Sequence, residues 1–198
     1  KEATQMIISS SSDFSNSRWF DYIDGKNINY ILPGNDGMKE VHVKFRDEAG
    51  NETEPVMAKI MLKRTPPIAG TVKINDGDNG TNFQEVTLSL NAQGAHEMML
   101  SNRIDFPDAK WEPFQPSRKF VLQGEDGVKF IFARYRDRAG NVSEIIFDKI
   151  GLDRTAPTEG TISINKGAKY TTQIDGKVTL QFRAKGATEM RIGNSEKL

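Results

Sequence analysis

The sequence contains no cysteine. Disulfides, thiol nucleophiles and cysteine-based metal sites are therefore excluded. Histidine is nearly absent: His42 and His96 are the only 2 in 198 residues, too few to support zinc ligation or histidine acid–base catalysis. An excess of one charge sign is lacking too. The 27 Lys and Arg balance the 27 Asp and Glu, for a formal net charge of 0. Nucleic acid is not an expected partner, because its binding needs a strongly basic face that displaces counterions from phosphates. No apolar run approaches the roughly 18 residues of a membrane span, and no stretch sustains a 3.6-residue period. No triad, phosphate loop or pair of carboxylates at a fixed site is legible, so neither an enzyme activity nor a cofactor is expected. The first residue is Lys1 and no signal-peptide pattern follows it, as in a processed product or an excerpt of a longer chain.

What is present is aromatic and repetitive. Hydrophobic content is only 36%, but 11 Phe, 4 Tyr and 2 Trp argue against disorder. Phe45-Arg46-Asp47-Glu48-Ala49-Gly50-Asn51 recurs as Tyr135-Arg136-Asp137-Arg138-Ala139-Gly140-Asn141, an offset of 90 from Asn51 to Asn141. The segments Thr65–Asn75 and Thr155–Asn165 match at the same offset. Ala3-Thr4-Gln5-Met6, Ala95-His96-Glu97-Met98 and Ala187-Thr188-Glu189-Met190 follow one another at an offset of 92, as do Trp19 and Trp111. The Thr-Pro segments are natural boundaries, since Pro ends strand pairing and stiffens a linker. They divide the chain into residues 1–64, the back part of one unit; 65–154, a complete unit; and 155–198, the front part of a third.

The complete unit reads as strands throughout. Thr71–Asn75, Val86–Ala92, Glu97–Ser101, Arg118–Leu122, Val128–Arg136 and Ser143–Leu152 are the expected strands. The region from Trp111 to Phe114 is expected to be irregular, being broken by Pro107, Pro113 and Pro116. In the third segment Thr161–Asn165 and Lys177–Ala184 are the expected strands. Asp47, Gly50, Asn51 and their repeats Asp137, Gly140, Asn141 form a hairpin-turn motif. Its Gly takes positive φ and its Asp caps turn amides. Six or seven short strands in about 90 residues indicate an all-β fold of antiparallel immunoglobulin-like or fibronectin III-like β-sandwiches in tandem.

The order of Trp111, Gly124, Asp126-Gly127, Lys129, Arg136-Asp137, Ala139-Gly140-Asn141, Ser143 and Leu152 through Asn165 resembles the bacterial Ig-like repeats of large secreted and cell-surface proteins. The resemblance covers essentially the whole chain. It implies an exported bacterial or archaeal protein at the cell surface or outside the cell, and it supplies no catalytic residues. Such repeats serve as stalks, adhesin spacers, filament units and accessory domains of enzymes. The first unit departs from the pattern at Lys63, where the counterpart of Asp153 is expected.

Candidate chemistry is sparse. Asp76, Asp78 and Asn79 lie in an oxygen-rich stretch that resembles a cation loop, although a polar turn between strands explains it better. Asp24, Asp36 and Asp126 each precede Gly and are expected in turns. Asn51, Asn79 and Asn141 stand in Asn-x-Ser/Thr sequons, which chance and the turn use of Asn explain better than glycosylation. Trp19 and Trp111 suit either sugar stacking or recurrent packing, with packing favoured. His42, alternating with Val41 and Val43, is expected on an outer strand face, exposed and without partners. His96, at a strand start, is expected to be exposed likewise.

One feature breaks the expected pattern of polar outer faces. With Ile131, Ala133 and Tyr135 inward, Phe130 and Phe132 point outward. With Ile146, Ile150 and Leu152 inward, Ile145 and Phe147 point outward, and Met99 is outward between Met98 and Leu100. Met99, Phe130, Phe132, Ile145 and Phe147 are thus expected to gather as a self-association patch, with Ile7, Met57 and Met61 as a lesser patch on the first unit. The corresponding outward positions of the first unit, Glu40, His42 and Lys44, are polar.

The expected function is a structural module of an extracellular or cell-surface filament or stalk. Its partners are copies of itself or neighbouring Ig-like repeats. The first unit lacks its first strands and the last segment contains such strands. Either the chain is an excerpt of a continuous array, or one tail completes the next head by strand addition. The alternative is an adhesin or carbohydrate-binding accessory segment of a larger surface protein or enzyme.

Overall fold

The chain is all-β in the computed structural model, which describes residues 2–193. The reading of 155–198 as one unit extends over 194–198, which lie outside the described residues. In order, the strands are β1 (Gln5–Ser9), β2 (Phe20–Asp21), β3 (Gly37–Arg46), β4 (Val56–Leu62), β5 (Ile68–Ile74), β6 (Gly80–Thr81) and β7 (Glu85–Gln93). There follow β8 (Glu97–Ser101), β9 (Glu112–Pro113), β10 (Ser117–Val121), β11 (Gly127–Arg136), β12 (Ile146–Leu152), β13 (Thr158–Ile164) and β14 (Leu180–Lys185).

The middle of the chain is a two-layer sandwich. One sheet has the order β10-β7-β5 and the other β6-β12-β11-β8-β9. Period-two alternation drives the closure: Val86, Leu88 and Leu90 from β7 meet Ile131, Ala133 and Tyr135 from β11, and all are buried. Met98, Leu100, Ile150, Leu152, Val72 and Ile74 complete the core, with Leu122 sealing one end. The Tyr135 hydroxyl enters this core without a hydrogen-bond partner among the described residues. Burial pushes its pKa up to about 12.

Several boundaries differ from the expected ones. β5 begins at Ile68, and its register to β7 shifts between Ala69 and Thr71. There Gly70 approaches so closely that a Cβ would lie 2.8 Å from the Asn91 carbonyl oxygen. β12 begins at Ile146 rather than Ser143. The Tyr135 amide donates to the Ser143 hydroxyl at 2.9 Å and the Ser143 amide donates back to the Tyr135 carbonyl at 2.8 Å, so Ser143 serves the turn rather than the ladder. The stretch from Trp111 to Phe114 holds the short strand β9. β14 covers Leu180–Lys185, so residues 177–179 of the expected strand lie outside it. β6 pairs with β12 in parallel, while the other strand pairs among the described residues are antiparallel.

The flanking parts are single layers. β2-β1-β3-β4 forms one sheet before the sandwich, and β13-β14 forms a two-stranded sheet after it. The first repeats the arrangement of β9-β8-β11-β12 and the second that of β5-β7.

Candidate functional site

Two turns recur along the chain, at Asp47–Asn51 and Asp137–Asn141. In the complete unit the Asp137 carboxylate accepts the Ala139 and Asn141 amides at 2.9 Å each and the Asn141 side-chain amide at 3.0 Å. Burial alone would raise the Asp137 pKa, but the hydrogen bonds from Asn141 and Ala139 outweigh it and hold the carboxyl below its ordinary value. Asp47 is bound in the same way by the Asn51 backbone at 3.0 Å and side chain at 2.9 Å. Gly50 and Gly140 have φ of 86° and 90°, which the turn requires of Gly.

Asp36 and Asp126 do more than shape their own turns. Asp126 accepts the Arg154 amide at 2.9 Å, the Arg154 Nε at 2.7 Å and the Thr155 hydroxyl at 3.0 Å. Asp36 accepts the Arg64 amide at 3.0 Å, the Thr65 amide at 2.9 Å and the Thr65 hydroxyl at 2.7 Å. Each carboxylate thus clasps the Arg-Thr that opens the following linker. Hydrogen bonds from that pair hold both carboxyls below their ordinary pKa, led by Thr65 at Asp36 and Arg154 at Asp126. Lys63 stands at the position that repeats Asp153 but makes a different contact. Asp153 accepts the Thr155 amide at 3.0 Å, whereas Lys63 donates to the Thr65 carbonyl and lies 3.7 Å from Asp36. Beside this linker a groove of about 650 Å³ is lined by Ile60 and Met61 on one side and by His96 and Arg138 on the other. His96 is exposed, as expected.

The outer face of the first unit corrects two expectations. His42 points outward yet is buried, at 9% exposure. The Phe14 ring stands edge-on to it at 6.5 Å, and Glu40 lies 3.3 Å from its Nε2. Ile7, assigned to the lesser patch, is also buried. The loop after β1 folds back over this face, with Lys44 Nζ 5.4 Å from the Phe14 ring centre. Met57 and Met61 remain exposed, and Met38, cross-strand from Met61, joins them. Phe106 is the counterpart of Phe14 in the complete unit, and Arg134 lies over its ring at 5.6 Å. Asp13-Phe14 and Asp105-Phe106 recur at the same offset of 92 as the tryptophans, and that recurrence was the available signal for a covering loop.

On the complete unit the structure brings Phe130, Phe132 and Phe147 together on the outer face. Phe132 and Phe147 are cross-strand partners 5.8 Å apart. Phe130 stacks on Phe132 at 6.2 Å and lies 6.0 Å from Phe147. Ile145 is exposed next to this cluster in sequence. Met99, on the adjacent strand β8, is half-buried and is the cross-strand partner of Arg134. Phe147, 59% exposed, is the most prominent of the three rings.

The inner faces of the flanking sheets are open as well. Ile60 is 55% exposed where its counterpart Ile150 is 1% exposed, and Ile164 is 48% exposed where Ile74 is fully buried. Val56 on the head and Ile162, Val178 and Phe182 on the tail are exposed likewise. Among the described residues, no second sheet packs on β4 or on the β13–β14 hairpin.

The remaining candidates are structural in geometry. Arg46 lies over Trp19 at 4.4 Å and Arg136 over Trp111 at 4.5 Å, with the guanidinium held by Gln5 and Glu97 respectively. Each indole face is thereby engaged by the same cation in both units. Asp76 Oδ1 accepts the Ser89 hydroxyl at 2.8 Å, and Asp76 itself has φ of 57° in a 3-10 turn. Lys166 takes the same conformation in the third segment, so the turn does not depend on an acidic residue. Among the described residues no three His, Cys, Asp or Glu are grouped to hold a metal ion. Asn51 and Asn141 spend their side-chain amides on the turns.

No protein-family model matches the chain, and none of the curated proteins matches it. Among solved structures it is similar to the fibronectin(III)-like modules of Clostridium thermocellum CbhA, at 12% identity and a TM-score of 0.38, over 76% of this chain and 78% of that one.

Proposed function

We propose that the protein is a structural module of a filament or stalk of tandem Ig-like units, set outside the cell or at its surface. The observation that carries this reading is the recurrence of one strand arrangement at a fixed sequence offset, β2-β1-β3-β4 repeating β9-β8-β11-β12 and β13-β14 repeating β5-β7. The head sheet β2-β1-β3-β4 leaves Val56 and Ile60 exposed, and the tail hairpin β13-β14 leaves Ile162, Ile164 and Phe182 exposed. The closed sandwich holds the counterparts of both sets in contact, which makes it the template for a head-to-tail joint. Burying each such side chain contributes about 1.5–3 kcal/mol before the cost of association. The export setting is supported by the resemblance to secreted and cell-surface repeats. The partner is a second copy of the chain or a neighbouring repeat.

Sedimentation of the 198-residue chain over a concentration series tests the joint. Association that Ile164→Asp abolishes, with the circular dichroism of the sandwich retained, is the expected result. A chain that stays monomeric at all concentrations refutes the joint between copies.

A further inference from the structure

We propose that Asn79 is a self-modifying site: the Gly80 amide nitrogen closes on the Asn79 side chain and expels ammonia, and water opens the ring to leave aspartate or isoaspartate in its place.

Asn79 is the only asparagine in the chain that precedes glycine. A glycine nitrogen has no Cβ beside it, so it approaches the side-chain carbon of the preceding residue with the least hindrance. Aspartate before glycine closes the same ring, and Asp24, Asp36, Asp76, Asp126 and Asp175 stand in that position. In the structure each of these carboxylates is held. Asp24 accepts the Tyr22 hydroxyl at 2.6 Å, Asp76 the Ser89 hydroxyl at 2.8 Å and Asp175 the Lys177 amide at 3.1 Å, while Asp36 and Asp126 clasp the linkers. Asn79 has no such restraint on its side chain among the described residues, and both Asn79 and Gly80 are exposed.

The backbone leaves the attacking atom free of the ladder. Asn79 lies in a bend, and Gly80 opens β6, which pairs in parallel with β12. The Gly151 amide donates to the Asn79 carbonyl and the Asp153 amide to the Thr81 carbonyl, both at 3.0 Å. Successive backbone groups of a strand point alternately to its two sides, so the Gly80 N–H points away from β12. The third segment carries Lys169-Tyr170 at the repeated position and lacks the reactive pair.

No co-reactant beyond water is needed. The Gly80 nitrogen bonds to the Asn79 Cγ, its proton leaves with the side-chain NH2 as ammonia, and a cyclic imide remains. Water adds to one of the two imide carbonyls and gives aspartate, or isoaspartate with the main chain rerouted through Cγ. Either product turns a neutral amide into a carboxylate next to Asp78. Isoaspartate also lengthens the backbone by one carbon and turns the carbonyl that accepts the Gly151 amide into a free carboxylate. β6 then loses its register on β12 and its hold on Asp153, whose own carboxylate accepts the Thr155 amide at the start of the next linker.

The test is incubation of the full chain at mildly alkaline pH, where loss of the amide proton speeds ring closure, with tryptic mass mapping over time. Residues 74–103 form one tryptic peptide that carries Asn75, Asn79, Asn82, Asn91 and Asn102, so Asn79 is compared with its neighbours in one molecule. The expected result is conversion at Asn79 at least several-fold faster than at the others, with isoaspartate among the products. The control is Gly80→Ala. Gly80 lies outside the positive-φ region and a Cβ there meets the Gly151 carbonyl oxygen at 3.6 Å, an ordinary contact, so the variant is expected to fold and to convert several-fold more slowly. Faster hydrogen exchange of the Gly151 and Asp153 amides in the converted chain is the second expected readout. Asn79 that stays an amide, or that converts no faster than its neighbours, overturns the site. Aspartate without isoaspartate, at a rate that Gly80→Ala leaves unchanged, shows direct hydrolysis and overturns the ring closure. Conversion with unaltered exchange at Gly151 and Asp153 overturns the loss of register.

Discussion

Asn141 donates its side-chain amide to the carbonyl oxygen of Lys63 at 3.0 Å, reaching from the second repeated turn to the linker that precedes its own unit. The same amide group donates to Asp137 at 3.0 Å. One residue thus closes a turn and holds a linker. Asn51 makes the turn contact in the first unit. Replacing Asn141 by Ala should lower the unfolding free energy of the sandwich by about 1.5–3 kcal/mol, the scale of hydrogen bonds to a charged group. Urea titration followed by tryptophan fluorescence measures it, and a change below about 0.5 kcal/mol contradicts the assignment.

Acid should weaken the protein through its turn carboxylates. Asp137, Asp126 and Asp36 all have folded pKa values below the ordinary one, because the native turns donate hydrogen bonds to the ionised form. For a depressed carboxyl, the stabilisation is present above the unfolded pKa of about 3.9 and is lost as pH falls through the folded value. Stability is expected to hold down to about pH 5 and to fall below about pH 4. Asp137→Asn should flatten that fall, and an unaltered pH profile in this variant counts against the mechanism.

Tyr135 offers a stabilising substitution. Its hydroxyl is buried without a partner among the described residues, and the equivalent position of the first unit is Phe45. Tyr135→Phe removes an unsatisfied polar group worth about 1–3 kcal/mol of desolvation. The thermal midpoint should stay level or rise; a clear drop means that the hydroxyl is bonded in solution.

The bulge at Gly70 is intolerant of a side chain. Gly70→Ala brings a Cβ to 2.8 Å from the Asn91 carbonyl, whereas a Cβ at Gly160 meets nothing within 4 Å. The first substitution should cost about 1–3 kcal/mol and the second almost nothing. Equal unfolding midpoints for the two variants would contradict the close approach.

The phenylalanine cluster gives a separate test of lateral contact. Phe130→Glu with Phe132→Lys should leave the β-sheet circular dichroism intact and weaken assembly. Unchanged particle size in light scattering removes this face from the contacts.

The period, the all-β class, the inward set of β11 and the Asp-x-Ala-Gly-Asn turns were legible in the amino-acid sequence. Each is encoded within a few residues, by period-two alternation or by the side-chain chemistry of a tight turn, and each is written more than once. Tertiary structure alone decided the rest. His42 and Ile7 are buried because a loop carrying Phe14 returns over a face that strand parity marks as open. Asp36 and Asp126 clasp linkers 28 residues away in sequence, which no local turn rule contains.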